Sequence, residues 1–269
     1  MIGTKSYARF ATLYGARRVW AIAAIHGEAR RLVHIHDAIG ERLREGDRVV
    51  YLGNYLGHGA DIRASVDELL DFRRRLLARR GGLVCDLAVL RGAQEEMWQK
   101  LLQLQFAPNP GEVLEWLVRA GAEATIRAYG GDPRQGFAAA REGPRAITRW
   151  TGTLRAAMNA APGHTMLFST LRHAAFTADK GLLFVHAGVD PARPLAAQRD
   201  AFWWGGADVL KLTAPFDGFG RVICGSDRQQ RGLVEGDFAA VLDGGAGRGG
   251  PLLAACFAAD GAVAERLAA

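Results

Sequence analysis

The chain has 269 residues, 49% of them hydrophobic, and a formal net charge of +6. That length suits one large domain with a sizeable core, and no apolar run reaches the roughly 18 residues that a membrane-spanning helix needs. The basic excess is almost all arginine: 34 Lys and Arg less four lysines (Lys5, Lys100, Lys180, Lys211) leaves 30.

An arginine excess can signal an anionic partner such as nucleic acid. Here Arg73-Arg74-Arg75 and Arg79-Arg80 flank Leu69, Leu70, Leu76 and Leu77 at helical spacing, so they read as the solvated face of one helix. No aromatic residues interleave with them to stack bases. Nucleic-acid binding through an arginine-rich surface is therefore the last-ranked reading. Cys85, Cys224 and Cys256 lie far apart and read as reduced thiols. With no charged-then-apolar leader at the start, a cytoplasmic location is expected.

In chain order, Arg18 to Ile25 reads as a buried strand. A helix follows over about 28–44, with Leu32, Ile35, Ile39 and Leu43 on one side. His34 and His36 lie two apart on it, so they point apart and do not chelate together. Val49 to Leu52 forms the second strand, followed by a glycine-bearing loop, Gly53 to Gly59. Ser65 with Glu68 reads as a capping box for a helix through Leu77, stopped at Gly81-Gly82. Leu83 to Leu90 reads as a third strand. This strand–helix–strand–helix–strand order implies a parallel sheet, whose ligands sit on loops at the carboxyl ends of the strands. Those loops are 24–28, 53–59 and 91–95.

Residues 96–160 read as a helical cap insertion, broken at Pro108-Asn109-Pro110, Gly130 to Pro133 and Gly143-Pro144. Strands then follow at 174–178, 181–185 and 221–224. A hairpin pairs 252–257 with 262–264 around Asp260-Gly261. No repeat or low-complexity linker interrupts the chain, so residues 1–269 are expected to form one domain.

Six blocks occur in order: Ala23-Ala24-Ile25-His26-Gly27, Leu52-Gly53-Asn54-Tyr55-Leu56-Gly57-His58-Gly59, Leu90-Arg91-Gly92-Ala93-Gln94-Glu95, His186-Ala187-Gly188, Val222-Ile223-Cys224-Gly225-Ser226, and Leu242 to Leu252. Together they resemble the calcineurin-like metallophosphoesterases, phosphoprotein-phosphatase branch. They are most similar to bacterial serine/threonine protein phosphatases and symmetrical diadenosine tetraphosphatases. The resemblance implies an α/β fold, a metallophosphoesterase-like αββα sandwich with the helical insertion. It also implies a two-metal site that activates water against phosphate.

Carried over residue by residue, the motifs are degenerate. His26 stands for one first-metal ligand and His186 for one second-metal ligand. Ala24 stands where a first-metal aspartate belongs, and Asn54 where the bridging aspartate belongs. Ala93 replaces the second-metal asparagine and Ser226 the second-metal histidine. Gln94 occupies the general-acid position, Gly57 that of the aspartate orienting the acid, and His58 that of a phosphate-binding arginine. Gly205, after Trp203-Trp204, occupies that of a further arginine. Glu95 matches the family's structural glutamate. His58 reads first as a solvent-facing loop residue, Trp203-Trp204 as core packing, and the 244–250 glycine run as a strand connection.

Two divalent ions without carboxylates would leave charge uncompensated, and two imidazoles are too few for a stable zinc site. The leading expectation is a pseudophosphatase with no metal or other cofactor. It would bind a protein partner or a phosphorylated ligand. The alternative is a metal-dependent phosphoesterase acting on phosphoproteins or nucleotides, with a single Zn, Mn or Fe ion and a site lined by His26, Asn54, His58, Gln94 and His186.

Overall fold

The computed structural model describes residues 9–79, 81–206 and 208–269. In chain order the elements begin β1 (Phe10–Leu13), β2 (Arg18–Ile22), α1 (Ala29–Arg42), β3 (Asp47–Tyr51), α2 (Ile62–Leu77) and β4 (Leu87–Val89). A helical stretch follows: α3 (Ala93–Leu102), α4 (Pro110–Leu117), α5 (Glu123–Ala128), α6 (Pro133–Glu142), α7 (Pro144–Ala160) and α8 (His164–Ser169). The remainder is β5 (Ala174–Thr177), β6 (Leu182–Val185), the short α9 (Ala201–Trp204), β7 (Arg221–Cys224), β8 (Gly232–Glu235), β9 (Ala239–Asp243), β10 (Leu253–Ala258) and β11 (Val263–Ala268).

Among the described residues the strands form two mixed sheets. One has the order β11-β10-β2-β3-β4, the other β1-β5-β6-β7-β9-β8. β2, β3 and β4 run parallel, as the crossover helices require. β10 and β11 form the expected antiparallel hairpin.

Side chains alternate across a strand with period two, and here both faces are apolar. Val19 and Ala21 of β2 and Val50 of β3 meet Phe184 of β6, Ile223 of β7 and Phe257 of β10 between the sheets. Trp20, Ile22, Val49 and Tyr51 face the other way, onto Leu32, Ile35 and Ile39 of α1 and Val66 and Leu69 of α2. The far face of the second sheet packs Leu183 and Val185 under Phe202, Phe216 and Phe219. The layers are therefore helix, sheet, sheet and a thinner cover of loops and short helices, which is the expected αββα sandwich.

The helices between β4 and β5 have their own core, built on Trp98, Leu114, Leu117, Ile126, Ile147, Trp150 and Leu154. α4, α6 and α7 each start with proline at the first turn, where the missing N–H costs nothing. Leu56 from the loop after β3 and Ile62 at the start of α2 join this core, so the loop is held against the helices. No helix among the described residues is long and apolar enough to cross a membrane.

The structure corrects several expectations. α2 begins at Ile62, one turn before the expected capping box, with Asp61 at its N-cap position. Ser65 lies buried inside the helix with an unpartnered hydroxyl. Glu68 instead pairs with Nδ1 of His36 at 2.5 Å and with Arg75 at 2.7 Å. His36 is buried and His34 exposed, so the two do point apart. The segment 83–90 is a strand only over Leu87–Val89. Before it runs a turn over Val84–Asp86, closed by the Leu83 N–H donating to Oδ2 of Asp86 at 2.9 Å. Leu83 and Val84 are exposed there. Arg74, Arg75 and Arg79 are exposed as read, while Arg80 lies outside the described residues. Cys224 and Cys256 are buried and Cys85 is half-buried, all as free thiols.

Candidate functional site

The three nominated loops do converge, and backbone bonds tie them. Beyond Ile22 the chain leaves its sheet. The Ala24 N–H donates to the Gly225 carbonyl, and the N–H groups of Ile25 and His26 both donate to the Asn54 carbonyl. The Gly59 N–H returns to the His26 carbonyl at 2.7 Å. A β-carbon on Gly59 would stand 2.1 Å from that oxygen, so the contact requires glycine. His26, Asn54 and His58 all hold positive φ, near 50°. L-residues adopt this region at a cost that the surrounding bonds must offset.

Glu95, near the start of α3, clamps the second loop to the third. Its buried carboxylate accepts four backbone N–H bonds, from Asn54, Tyr55, Leu56 and Gly92, at 2.9–3.1 Å. Burial pushes its pKa up, and the four donors pull it back down. This supports the structural role that the resemblance implies for it.

A cavity of about 460 Å³ opens over the loops, lined among others by His26, Asn54, Ala93, Gln94 and Ser226. Ala24 and His186 are both fully buried, and neither is part of the lining. Nδ1 of His186 faces the Leu52 carbonyl at 2.7 Å, so that nitrogen carries the proton and donates. Its Nε2 is buried and has no partner. Nδ1 of His26 donates in the same way to the Leu56 carbonyl at 3.0 Å. Its Nε2 is left to accept from Nδ2 of Asn54 at 3.3 Å. The other end of that amide, Oδ1, accepts the Gln94 N–H at 2.9 Å. Both imidazoles are held neutral. Burial brings His186 down to about 4, and burial together with the nearby His58 and Arg248 lowers His26 well below its ordinary value.

A metal pair does not fit these residues. Among the described residues no three His, Cys, Asp or Glu side chains converge as a metal would require. Of the two retained imidazoles only His26 lines the cavity, and its free nitrogen already faces the Asn54 amide.

Gln94, Gly57 and His58 instead contact the helical stretch between β4 and β5. Nε2 of Gln94 donates to the Ala120 carbonyl at 2.7 Å, and the Gly57 N–H donates to Oγ1 of Thr125 at 3.0 Å. His58 is half-buried rather than solvent-facing. Its ring stands edge-on to His26 with centroids 4.9 Å apart, and Gly121 (φ 106°) leaves room for it. A β-carbon on Gly121 would lie 2.5 Å from Cε1 of His58. Burial and the neighbouring Arg248 guanidinium push His58 down to about 4.

Some residues of the cavity escape a motif reading. Trp203 and Trp204 are half-buried: each packs against a hydrophobic core, as expected, and each also walls the cavity. The 244–250 run is a self-packed connection, and Gly247 crosses His26 so closely that a β-carbon would meet Cβ of His26 at 2.5 Å. That crossing delivers Arg248, whose Nη2 donates to Nε2 of His58 at 2.8 Å. Arg228 and Arg231 also line the cavity. The signal available in sequence is only that Arg248 interrupts a glycine run.

No protein-family model matches the chain, and no curated protein matches it in sequence. Solved structures match it in three dimensions. A candidate diadenosine tetraphosphatase superposes with a TM-score of 0.56 at 18% identity, covering 97% of this chain and 98% of the other. A point mutant of a cold-active protein tyrosine phosphatase gives 0.52 at 11% identity, over 97% and 83%. The cold-active protein-tyrosine phosphatase of a psychrophilic Shewanella species gives 0.50 at 12% identity, again over 97% and 83%. At such identities the likeness is one of fold: this chain shares the fold of these solved phosphatase structures.

Proposed function

We propose that the chain is a pseudophosphatase, a phosphatase fold that uses its cavity to bind and not to hydrolyse. The observation that carries this reading is the state of Asn54. The position that would bridge two metals holds a neutral amide, with Oδ1 taken by the Gln94 N–H and Nδ2 turned to His26. Gln94 supports the same reading. An amide cannot deliver a proton to a leaving group near neutral pH, and this one is bonded to Ala120. The retained glycines and Glu95 serve the shape of the loops, so the cavity persists without reactive groups.

The test is hydrolysis of p-nitrophenyl phosphate with added Mn²⁺, Zn²⁺ or Fe²⁺. The expected rate is the uncatalysed one. Turnover that is abolished both by chelator and by His26→Ala would overturn the proposal in favour of a metal-dependent phosphoesterase.

A further inference from the structure

One end of the sandwich carries exposed apolar side chains set among arginines. It is the end at which the parallel strands β2, β3 and β4 begin, opposite the loops that follow them and border the cavity. Tyr14 is 63% exposed there, Leu83 55% and Val84 73%. Arg48 links them. Its guanidinium donates from Nε and Nη2 to the Tyr14 carbonyl at 3.1 and 2.6 Å and pairs with Asp86 at 3.3 Å, and Oδ2 of Asp86 accepts the Leu83 N–H at 2.9 Å. Single exposed apolar residues are ordinary, whereas a cluster held in one place marks an interaction surface.

The cluster borders a hollow of about 720 Å³ lined by Arg17, Arg44, Arg48 and Arg79, with Gly15 and Leu83 at its edge. The carboxylates of that lining are Glu45, Asp47 and Asp86. Both oxygens of the buried Asp47 face Arg18, at 3.0 and 2.6 Å, and Asp86 serves Arg48. Glu265, on the far side of Arg18, is shared between Arg18 and Arg42. Among the described residues Arg17, Arg44 and Arg79 form no ion pair, and only Glu45 of the lining is left to set against them. Arg79 donates from Nη2 to the Leu43 carbonyl at 3.2 Å. The stem of Arg17 lies across Gly46, where a β-carbon would stand 2.9 Å from its Cγ and Cδ.

We infer that this end of the sandwich docks on an anionic lipid bilayer: Tyr14, Leu83 and Val84 enter the headgroup layer, and Arg17, Arg44 and Arg79 meet lipid phosphates. Leucine and valine gain by leaving water, which a bilayer offers and the phosphate backbone of a nucleic acid does not. A guanidinium is weakly hydrated and matches phosphate with a fork of donors, and tyrosine, apolar in body and polar at its tip, suits the boundary between lipid and water. The face opposes the cavity, so a docked protein keeps the cavity mouth toward solvent. None of these residues belongs to the loops of the candidate site, and the inference stands apart from what the cavity does.

The experiment is sedimentation of the intact protein with vesicles of phosphatidylcholine alone and of phosphatidylcholine with phosphatidylglycerol. Binding is expected to the anionic vesicles only, and it should fade between about 0.1 and 1 M salt as the Debye length shrinks from about 10 to 3 Å. Arg17→Gln combined with Arg44→Gln should weaken it about fivefold per arginine. Leu83→Ser combined with Val84→Ser should weaken it about tenfold or more. All four side chains are exposed, so circular dichroism should not change. Failure of the folded wild type to bind anionic vesicles, equal binding to neutral ones, or binding that survives the Leu83 and Val84 changes overturns the inference. Retention on single-stranded RNA without vesicle binding also overturns it, and assigns the arginines to nucleic acid.

Discussion

A β-carbon on Gly57 would lie 2.4 Å from Cδ of Gln94. By resemblance these two positions should hold an aspartate and the general acid that it orients. In this chain the Gln94 side chain fills the space that any side chain at position 57 would need, and its amide reaches past to Ala120. The place of the acid pair has become a joint between sandwich and cap. Gly57→Asp should therefore destabilise the fold by about 2 kcal/mol or more, since φ is +82° and the space is taken. Urea unfolding reads this directly. Adding Gln94→Ala should recover part of the loss, as coupling between touching residues requires. A loss under about 0.5 kcal/mol, the range of ordinary surface changes, would show that the joint is slack.

Glu95 should be the most sensitive buried polar residue of the site. Glu95→Ala leaves four buried N–H groups without an acceptor. The expected cost is about 3–5 kcal/mol, comparable to breaking a buried charge interaction. The shift of the urea midpoint measures it, and a change below about 1 kcal/mol would contradict the clamp.

Ala24→Asp restores one absent carboxylate. It should weaken the fold and not confer metal binding, because position 24 is buried and outside the cavity lining. The cost of an unpaired buried carboxylate is several kcal/mol unless it takes up a proton. Thermal unfolding with and without Mn²⁺ distinguishes the outcomes. A metal-dependent rise in the variant's Tm would contradict the geometry described.

Acid should destabilise the protein through its buried histidines. His186 is held down to about 4 and His26 well below its ordinary value by burial, whereas an unfolded chain protonates histidine near 6.5. Between these values the unfolded state binds more protons, so stability is full above about pH 6.5 and falls as pH drops toward 4. The slope is about 1.4 kcal/mol per pH unit for each histidine within its window. Urea midpoints at pH 7.5, 6.0 and 5.0 follow the loss. His186→Asn should remove about one histidine's share of the slope. A flat or rising profile on acidification would contradict the burial of both rings.

Much of the sandwich is legible in sequence because its strands are apolar runs placed between amphipathic helices. The face each residue takes then follows from period two, as Val19 and Trp20 illustrate. Local patterns mislead where a single side chain redirects the backbone. Asp86 curls the start of an apolar run into a turn, and Glu68 serves His36 in place of a helix cap. The loops of the site are readable from their glycines and histidines. What they do to one another is not, because Arg248 meets His58 across 190 residues and Gln94 meets Ala120 through a cap whose packing no local motif encodes.

The most direct test of the central claim is metal stoichiometry. Protein purified without chelator is equilibrated with Mn²⁺ or Zn²⁺, dialysed, and analysed for bound metal beside His26→Ala. Because Asn54 stands where a carboxylate would bridge two metals and His186 is not in the cavity lining, fewer than about 0.2 equivalents per chain are predicted, with no difference between the two proteins. About two equivalents in the wild type, lost in His26→Ala, would contradict it.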